Sequence, residues 1–457
     1  MKKKEYATSR GERVSVGFFA FGAILSYYVI YSYLQLFLTD FVGVSASAVA
    51  VVFMIAKIFD AVNDPVFGVI VDMAKPKSGK YLPWLKVAAM AIPITTLIVF
   101  WNPVSQSFPM WAKILWALIS YVLWDLAYTM YDAPLSSLIT VTSKGMYERN
   151  FLMALTSFMV YMGGLLVVVI VPILYPMFGW GVTGTVLGVL CFLSMIAMPF
   201  KVKERYAAET EQEATLKEMI SCVVGNKFLL IVVLSMIVGS LTDVSTTLQT
   251  YFAIYCLGGS EWLTPIALAT TLPVLAVVLF VPKLLTKVDK FWAYIVSRII
   301  TVMITIVIYF VGYENVPVMV SLVALRAVVS SLWGLIGMLF IADCVEYGQY
   351  KTGMRNQGIA FSLKAFVNKV VVAIAGAVGM LSLSLVGYVE GGVAQSAETI
   401  RGIWALYALG PAIGAVVAVA VMIACYKLRD KDIDLMARCN KGEITREACE
   451  RQLGGRF

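Results

Sequence analysis

The sequence predicts an all-α membrane protein of twelve transmembrane helices in two six-helix halves, with both termini cytoplasmic. Three observations carry that expectation. The 457 residues are 60% hydrophobic and only 14% charged, with mean hydropathy +0.84, whereas soluble domains carry about 25% charged residues. Apolar runs of bilayer-crossing length, about 20 residues each, recur along almost the whole chain. Basic residues cluster in alternate loops, which sets the orientation.

The runs fall at roughly 15–38, 45–72, 84–102, 110–139, 151–176, 180–200, 227–256, 262–282, 292–312, 316–342, 357–388 and 401–426. None shows the short alternating segments of a membrane barrel, so the elements are helices. Lys75, Lys77 and Lys80, then Lys144 and Arg149, then Lys201, Lys203 and Arg205, then Lys283, Lys287 and Lys290, then Lys351 and Arg355 fill every second loop. The intervening loops carry Asp40, Glu261, Glu314, Glu390 and Glu398 instead. The net charge of +8 is therefore a topology signal and not a nucleic-acid footprint. The basic start leads into a first helix too long for a cleaved signal peptide, which implies a retained span.

Residues 201–226 interrupt the apolar pattern with a charged linker, leaving an N-terminal half over 1–200 and a C-terminal half over 227–427. Two such halves are a transporter layout with the substrate site at the midplane. Residues 428–457 form a polar tail, helical from Asp432 to Ala437, to which no chemistry is assigned. The seven cysteines are scattered without a CxxC pair and there is no histidine, so a transition-metal site or a disulfide framework is not indicated. With neither a nucleophile elbow nor a phosphate-binding loop, the chain does not read as an enzyme, and no cofactor is expected.

Charge at membrane depth costs a few kcal/mol or more and is normally paired and functional. The second run contains Lys57-Ile-Phe-Asp60-Ala-Val-Asn63-Asp64-Pro65, where Asp60 and Asp64 share one helix face. The fourth contains Asp125, Thr129 and Asp132 at spacings of four and three, again one face. Carboxylates, an amide and a hydroxyl suit a small hard cation, which takes oxygen ligands. Lys57 reads either as the charge that couples to that site or as a structural partner for Asp60. In the second half, Lys364 and Lys369 bring opposite charge, and Asp243 reads equally as a packing or gating contact or as a ligand. Arg298 and Arg326 are placed near helix ends, where long basic side chains snorkel. The tyrosines at 27, 28, 31 and 33 wrap around the first helix and mostly pack.

Four segments carry a family likeness: Asp60-Ala-Val-Asn63-Asp64-Pro65, Gly79-Lys80-Tyr-Leu-Pro83-Trp84, Tyr128-Thr129-Met-Tyr-Asp132-Ala-Pro134, and Ala342-Asp343-Cys-Val-Glu346-Tyr347-Gly348-Gln-Tyr350-Lys351. Over essentially the whole chain the sequence resembles the glycoside–pentoside–hexuronide:cation symporters, the melibiose-permease-like branch of the major facilitator superfamily. The resemblance implies a major facilitator fold and a Na⁺ (or Li⁺ or H⁺) site at Asp60, Asn63, Asp64 and Thr129. It also implies sugar contacts from Tyr31, Tyr128, Asp132 and Lys369. Four of the family's sugar-binding positions have changed, to Ile24, Ser136, Ser157 and Lys364, and Asp125 replaces a glycine. Those departures turn the expectation from a galactoside toward an anionic sugar such as a hexuronide, with Lys364 as its counter-ion. Asp125, one turn from Thr129, is counted with the substrate residues, and is also placed to pair with Lys364. Function is thus expected to be symport of a sugar or glycoside with Na⁺ or H⁺ across the cell inner membrane, by a monomer whose other contact is membrane lipid. A Na⁺-coupled lysolipid-type carrier and a non-transporting sugar sensor are the alternatives.

Overall fold

In a computed structural model of the chain, residues 6–74, 79–101, 108–143, 146–206, 225–241, 243–278, 281–285, 287–353, 357–454 and 456 are described. Among them there is no strand, and ten helices are long and apolar enough to cross a membrane. Most of the linker placed at 201–226 lies outside the described residues, as do Lys75, Lys77, Lys144 and Arg355 of the basic loops.

In chain order the helices are α1 (Arg10–Leu36), α2 (Ala46–Met73), α3 (Leu82–Phe100), α4 (Met110–Thr142), α5 (Met146–Met195), α6 (Met198–Lys201), α7 (Lys227–Leu241), α8 (Ser245–Tyr251), α9 (Leu263–Val278), α10 (Val281–Leu285), α11 (Lys290–Val311), α12 (Val316–Thr352), α13 (Gln357–Leu385), α14 (Ala397–Cys425), α15 (Asp430–Asn440) and α16 (Arg446–Leu453). Ten apolar helical stretches, with α7 and α8 counted together as Lys227–Cys256, stand against the twelve apolar runs for two reasons. The fifth and sixth runs join in α5, which breaks only at Gly179 (φ 78, ψ 169). Fifty helical residues would extend about 75 Å, more than twice the hydrocarbon thickness, and the positive φ that divides them is one glycine adopts without steric cost. The eighth run is met by α9, only 16 residues long, and by α10.

The chain forms two compact units. Unit 1 comprises Met1–Gln212 with Gly258–Thr264 and Leu383–Ser396; unit 2 comprises Glu213–Leu257, Pro265–Ser382 and Ala397–Phe457. Within unit 1, α1 packs on α5, α2 on α4, and α3 on both α4 and α5. Lipid removes the hydrophobic drive between helices, so close backbone approach at small residues replaces it. Gly22 shows this: a Cβ there would lie 2.8 Å from the Cys191 carbonyl oxygen and 2.7 Å from Met195 Cγ. A backbone oxygen cannot swing aside, so Gly22→Val is expected to cost about 1–3 kcal/mol. Gly181, with nothing within 4 Å of its added Cβ, is the control, and Gly181→Ala should leave the thermal midpoint of the purified protein unchanged.

Carboxylates tie the helix ends of unit 1. Ser9 and Glu12 form a reciprocal capping box at the start of α1, and Glu12 also accepts from Arg205 Nη2 at 2.6 Å. Glu204 accepts the backbone N–H groups of Lys80, Tyr81 and Leu82 at 2.7–2.8 Å, satisfying the free donors at the start of α3. The segment 383–396 joins the same unit through Tyr388, which donates to Asp40, and Glu390, which accepts the Ala46 N–H at 2.9 Å at the start of α2.

In unit 2, α11 packs on α12 and α14, and α7 on α14. Its core continues into the tail, which corrects the expectation of a polar appendage with one short helix. The tail holds two helices, α15 and α16, whose Ile433, Met436, Cys449 and Leu453 are buried among Phe340, Cys344 and Tyr347. Asp430 binds Lys290 (3.4 Å), Lys290 binds Asp343 (2.7 Å), and Asn440 donates to Glu346 (3.0 Å). The Asp343–Lys351 motif is therefore the anchor of the tail.

Candidate cation and substrate site

In unit 1, α2 presents two faces. Ile58, Val62, Val66 and Val69 are all more than half exposed, a stripe suited to lipid, whereas Asp60 on the other side is only 5% exposed. That inward side meets the Asp125–Thr129 face of α4. Asn63 Nδ2 donates to Thr129 Oγ1 at 3.1 Å, and Thr129 Oγ1 lies 3.3 Å from Asp64 Oδ1 and 3.1 Å from the Asp125 carbonyl oxygen. A hydroxyl has one proton, so Thr129 shares it between these two acceptors. Asn63, Asp64 and Thr129 thus meet at the Thr129 hydroxyl, Asn63 through its amide nitrogen and Asp64 through a carboxylate oxygen, one turn from Asp60.

Lys57 bridges the neighbouring carboxylates, with Nζ 3.3 Å from Asp60 Oδ2 and 3.5 Å from Asp125 Oδ1. The ring of Tyr121 lies 5.7 Å away, within cation–π range. One ammonium faces two buried carboxylates, so both readings of Lys57 remain compatible with its position. Asp125, counted in the sequence with the substrate residues and placed to pair with Lys364, is held in this cluster by Lys57.

Beside the cluster runs an aromatic wall, of which the sequence assigns Tyr31 and Tyr128 to the sugar, leaves Tyr27 to packing and gives Tyr121 and Trp124 no role. Tyr27 stacks on Tyr31 (5.7 Å, 9°) and lies 5.3 Å from Tyr128, which stacks on Trp124 (5.3 Å, 28°); Trp124 in turn stacks on Tyr121 (5.8 Å, 18°). Trp124 Nε1 donates to Ser26 Oγ at 2.7 Å, and Ser26 pairs with Thr96, which fixes the indole plane. The signal was the aromatic spacing 121, 124, 128 on α4 and 27, 31 on α1, each on one helix face. Tyr31 is 42% exposed and Asp132 is exposed one turn beyond Tyr128, so both offer polar atoms at the end of the wall. Lys364 and Lys369 lie half-buried on α13 of unit 2, and Asp243 accepts from Ser245 Oγ at 2.5 Å as a local turn contact.

Arg298 departs from its expectation. It is 3% exposed, eight residues into the 22 of α11, and so about 12 Å from the helix end. A side chain that far in does not snorkel. Arg326 is also buried, at 8%, over the Tyr407 ring.

The profile of the family described as MFS/sugar transport protein matches residues 15–430. The chain belongs to this family. Its fold is that of solved transporters: 91% of the chain superposes on 99% of the nucleoside transporter NupG with a TM-score of 0.64 at 12% identity. Among its relatives, it is 27% identical to the uncharacterized symporter YjmB of Bacillus subtilis over 93% of this chain and 94% of that one. It is 26% identical to the isoprimeverose transporter of Lactiplantibacillus pentosus, over 91% and 88%. It is likewise 26% identical to the inner membrane symporter YicJ of Escherichia coli, over 87% of each chain. The resemblance to the glycoside–pentoside–hexuronide:cation symporters thus holds. This MFS-type protein is a multi-pass membrane transporter, not an enzyme.

Proposed function

We propose that this MFS-type transporter is a twelve-span symporter of the cell inner membrane, with both termini cytoplasmic, which carries a sugar or glycoside inward with Na⁺ or H⁺. The observation that supports it most is the convergence of Asn63, Asp64 and Thr129, one turn from the Lys57–Asp60 pair and beside an aromatic wall. Oxygen donors at that point suit a small cation, and flat aromatic faces suit the C–H faces of a sugar ring. Naming of relatives as symporters and as an isoprimeverose transporter supports the same class.

In this mechanism the cation enters among Asp60, Asn63, Asp64 and Thr129 and offsets carboxylate charge that Lys57 otherwise shares. On the family resemblance, substrate contacts are assigned to Tyr31, Tyr128 and Asp132 of unit 1 and to Lys364 and Lys369 of unit 2, and a Lys364 counter-ion favours an acidic sugar such as a hexuronide. Coupling is a linkage free energy and therefore reciprocal, so bound sugar raises cation affinity by the same factor. The membrane potential adds about 2.3 kcal/mol per 100 mV for each positive charge carried inward.

Uptake into proteoliposomes under imposed Na⁺ or H⁺ gradients, across neutral glycosides, pentosides and uronides, tests the proposal. Accumulation of at least one sugar should follow one of the gradients and collapse with the matching ionophore. Sugar binding without counterflow would instead make the protein a sensor. If Lys364→Gln leaves acidic-sugar uptake unchanged relative to neutral sugar, the counter-ion role of Lys364 fails.

A further inference from the structure

Arg298 lies in the interior of unit 2, and none of the residues lining its cavity is among those assigned to transport above. The face of its guanidinium stacks on Trp333, with Cζ 3.9 Å from the ring centroid. That contact occupies the π surface but leaves the in-plane N–H groups unmet. Nε and Nη2 are both buried without a hydrogen-bond partner among the described residues. These two nitrogens flank one edge of the guanidinium, the fork that grips both oxygens of a carboxylate in parallel. Arginine does not lose its proton in a protein, so neutralisation offers no escape. An unpaired cation at this depth is otherwise strongly unfavourable.

Arg298 is one of the residues that line a half-open cavity of about 30 Å³, whose lining contains no Asp or Glu among the described residues. The cavity has room for about two water-sized groups, the bulk of one carboxylate and too little for a sugar ring. Gly334 and Gly337 border it with nothing within 4 Å of an added Cβ, so the space beside them is open. Gly239 admits Nη2, which a Cβ there would meet at 2.9 Å. Ser235 Oγ and Tyr294 Oη, both from residues that line the cavity, share a hydrogen bond of 3.1 Å. Only one of the two can donate in that bond, so the other hydroxyl keeps a proton for a third ligand.

We infer that the Arg298 pocket is an oxyanion site, in which the Nε/Nη2 fork and the Ser235–Tyr294 hydroxyl pair hold one carboxylate group. The group belongs either to a free small carboxylate or to the acid end of a larger solute. This site goes beyond the sugar and cation set, and its test does not depend on transport.

The purified full chain in detergent is titrated with sodium formate, acetate, chloride, galacturonate and galactose at fixed sodium and ionic strength, and its thermal unfolding midpoint is followed. Formate and acetate should raise the midpoint saturably, with chloride weaker because a spherical ion cannot use both teeth of the fork. Arg298→Lys keeps the charge but not the fork, and should weaken the apparent affinity about tenfold or more, given the worth of a charge-assisted hydrogen bond. Tyr294→Phe should weaken it about threefold; it carries the test if Arg298→Lys does not elute as a monodisperse species. A response to formate assigns the site to a free carboxylate, and a response to galacturonate alone assigns it to the acid group of a sugar; both support the inference. No saturable response to any carboxylate, a chloride response equal to that of formate, or wild-type affinity in both variants would overturn it.

Discussion

Replacing Asp64 by Asn should abolish gradient-driven accumulation while leaving sugar counterflow measurable. Asparagine keeps the shape of the side chain and an oxygen for Thr129 Oγ1, now 3.3 Å from Asp64 Oδ1, while removing the charge and turning the second carboxylate oxygen into an amide donor. A monovalent cation held by oxygens derives most of its attraction from such charges at close range. The cation concentration for half-maximal stimulation is therefore expected to rise about 100-fold or more. Asp64 is a cleaner probe than Asp60, because Asp60 is also a partner of Lys57 and its loss alters two interactions together. The measurement is Na⁺ and H⁺ dependence of initial uptake rates beside equilibrium counterflow. Unchanged cation dependence in Asp64→Asn would remove Asp64 from the cation site, while equal loss of counterflow would place it in sugar binding instead.

Lys57→Met should be the most destabilising single change in unit 1. It leaves Asp60 and Asp125, 5% exposed each, facing one another without their shared ammonium. Removing one partner from a buried ion pair costs about 3–5 kcal/mol, much more than replacing the whole pair. The double variant Lys57→Met/Asp125→Asn removes one of the stranded charges, and should recover about 1–3 kcal/mol of coupling energy. Thermal midpoints of the two single variants and the double variant, taken at fixed sodium, give that coupling. Strict additivity would show that Lys57 does not serve Asp125 at all. Recovery of stability together with lost cation dependence would separate the structural duty of Lys57 from its coupling duty.

The two helix faces that make this site could be read from spacing, since Asp60 with Asp64 and Asp125 with Thr129 are each one turn apart. Their meeting could not, because spacing within a helix says nothing of the register between two helices. That is why Lys57 and Asp125, 68 residues apart, were not paired in the sequence, and why Asp125 was offered to Lys364 instead. Arg298 failed for a different reason. Hydropathy blurs span ends by several residues, and in a long apolar stretch one arginine looks the same at the rim and in the middle. The tail failed because its composition is polar on average. Its apolar residues are few, but Ile433 with Met436 and Cys449 with Leu453 recur at helical spacing, and each pair fills the core of unit 2. The boundary between the fifth and sixth runs was legible, since the gap read between 176 and 180 coincides with the one residue of positive φ that breaks α5, Gly179.

The buried tail has a consequence for how the protein is made. Synthesis runs from the N-terminus, and domains generally fold as their residues emerge. Met436, Cys449 and Leu453 emerge after the last apolar helix has left the ribosome, yet the packing around Phe340 and Cys344 is finished only by them. Membrane integration and completion of unit 2 are thus separate events in time. A premature stop after residue 428 would give a chain with every apolar helix inserted and a wet hydrophobic seam where the tail belongs, an orphan that quality-control proteases can recognise by that seam alone.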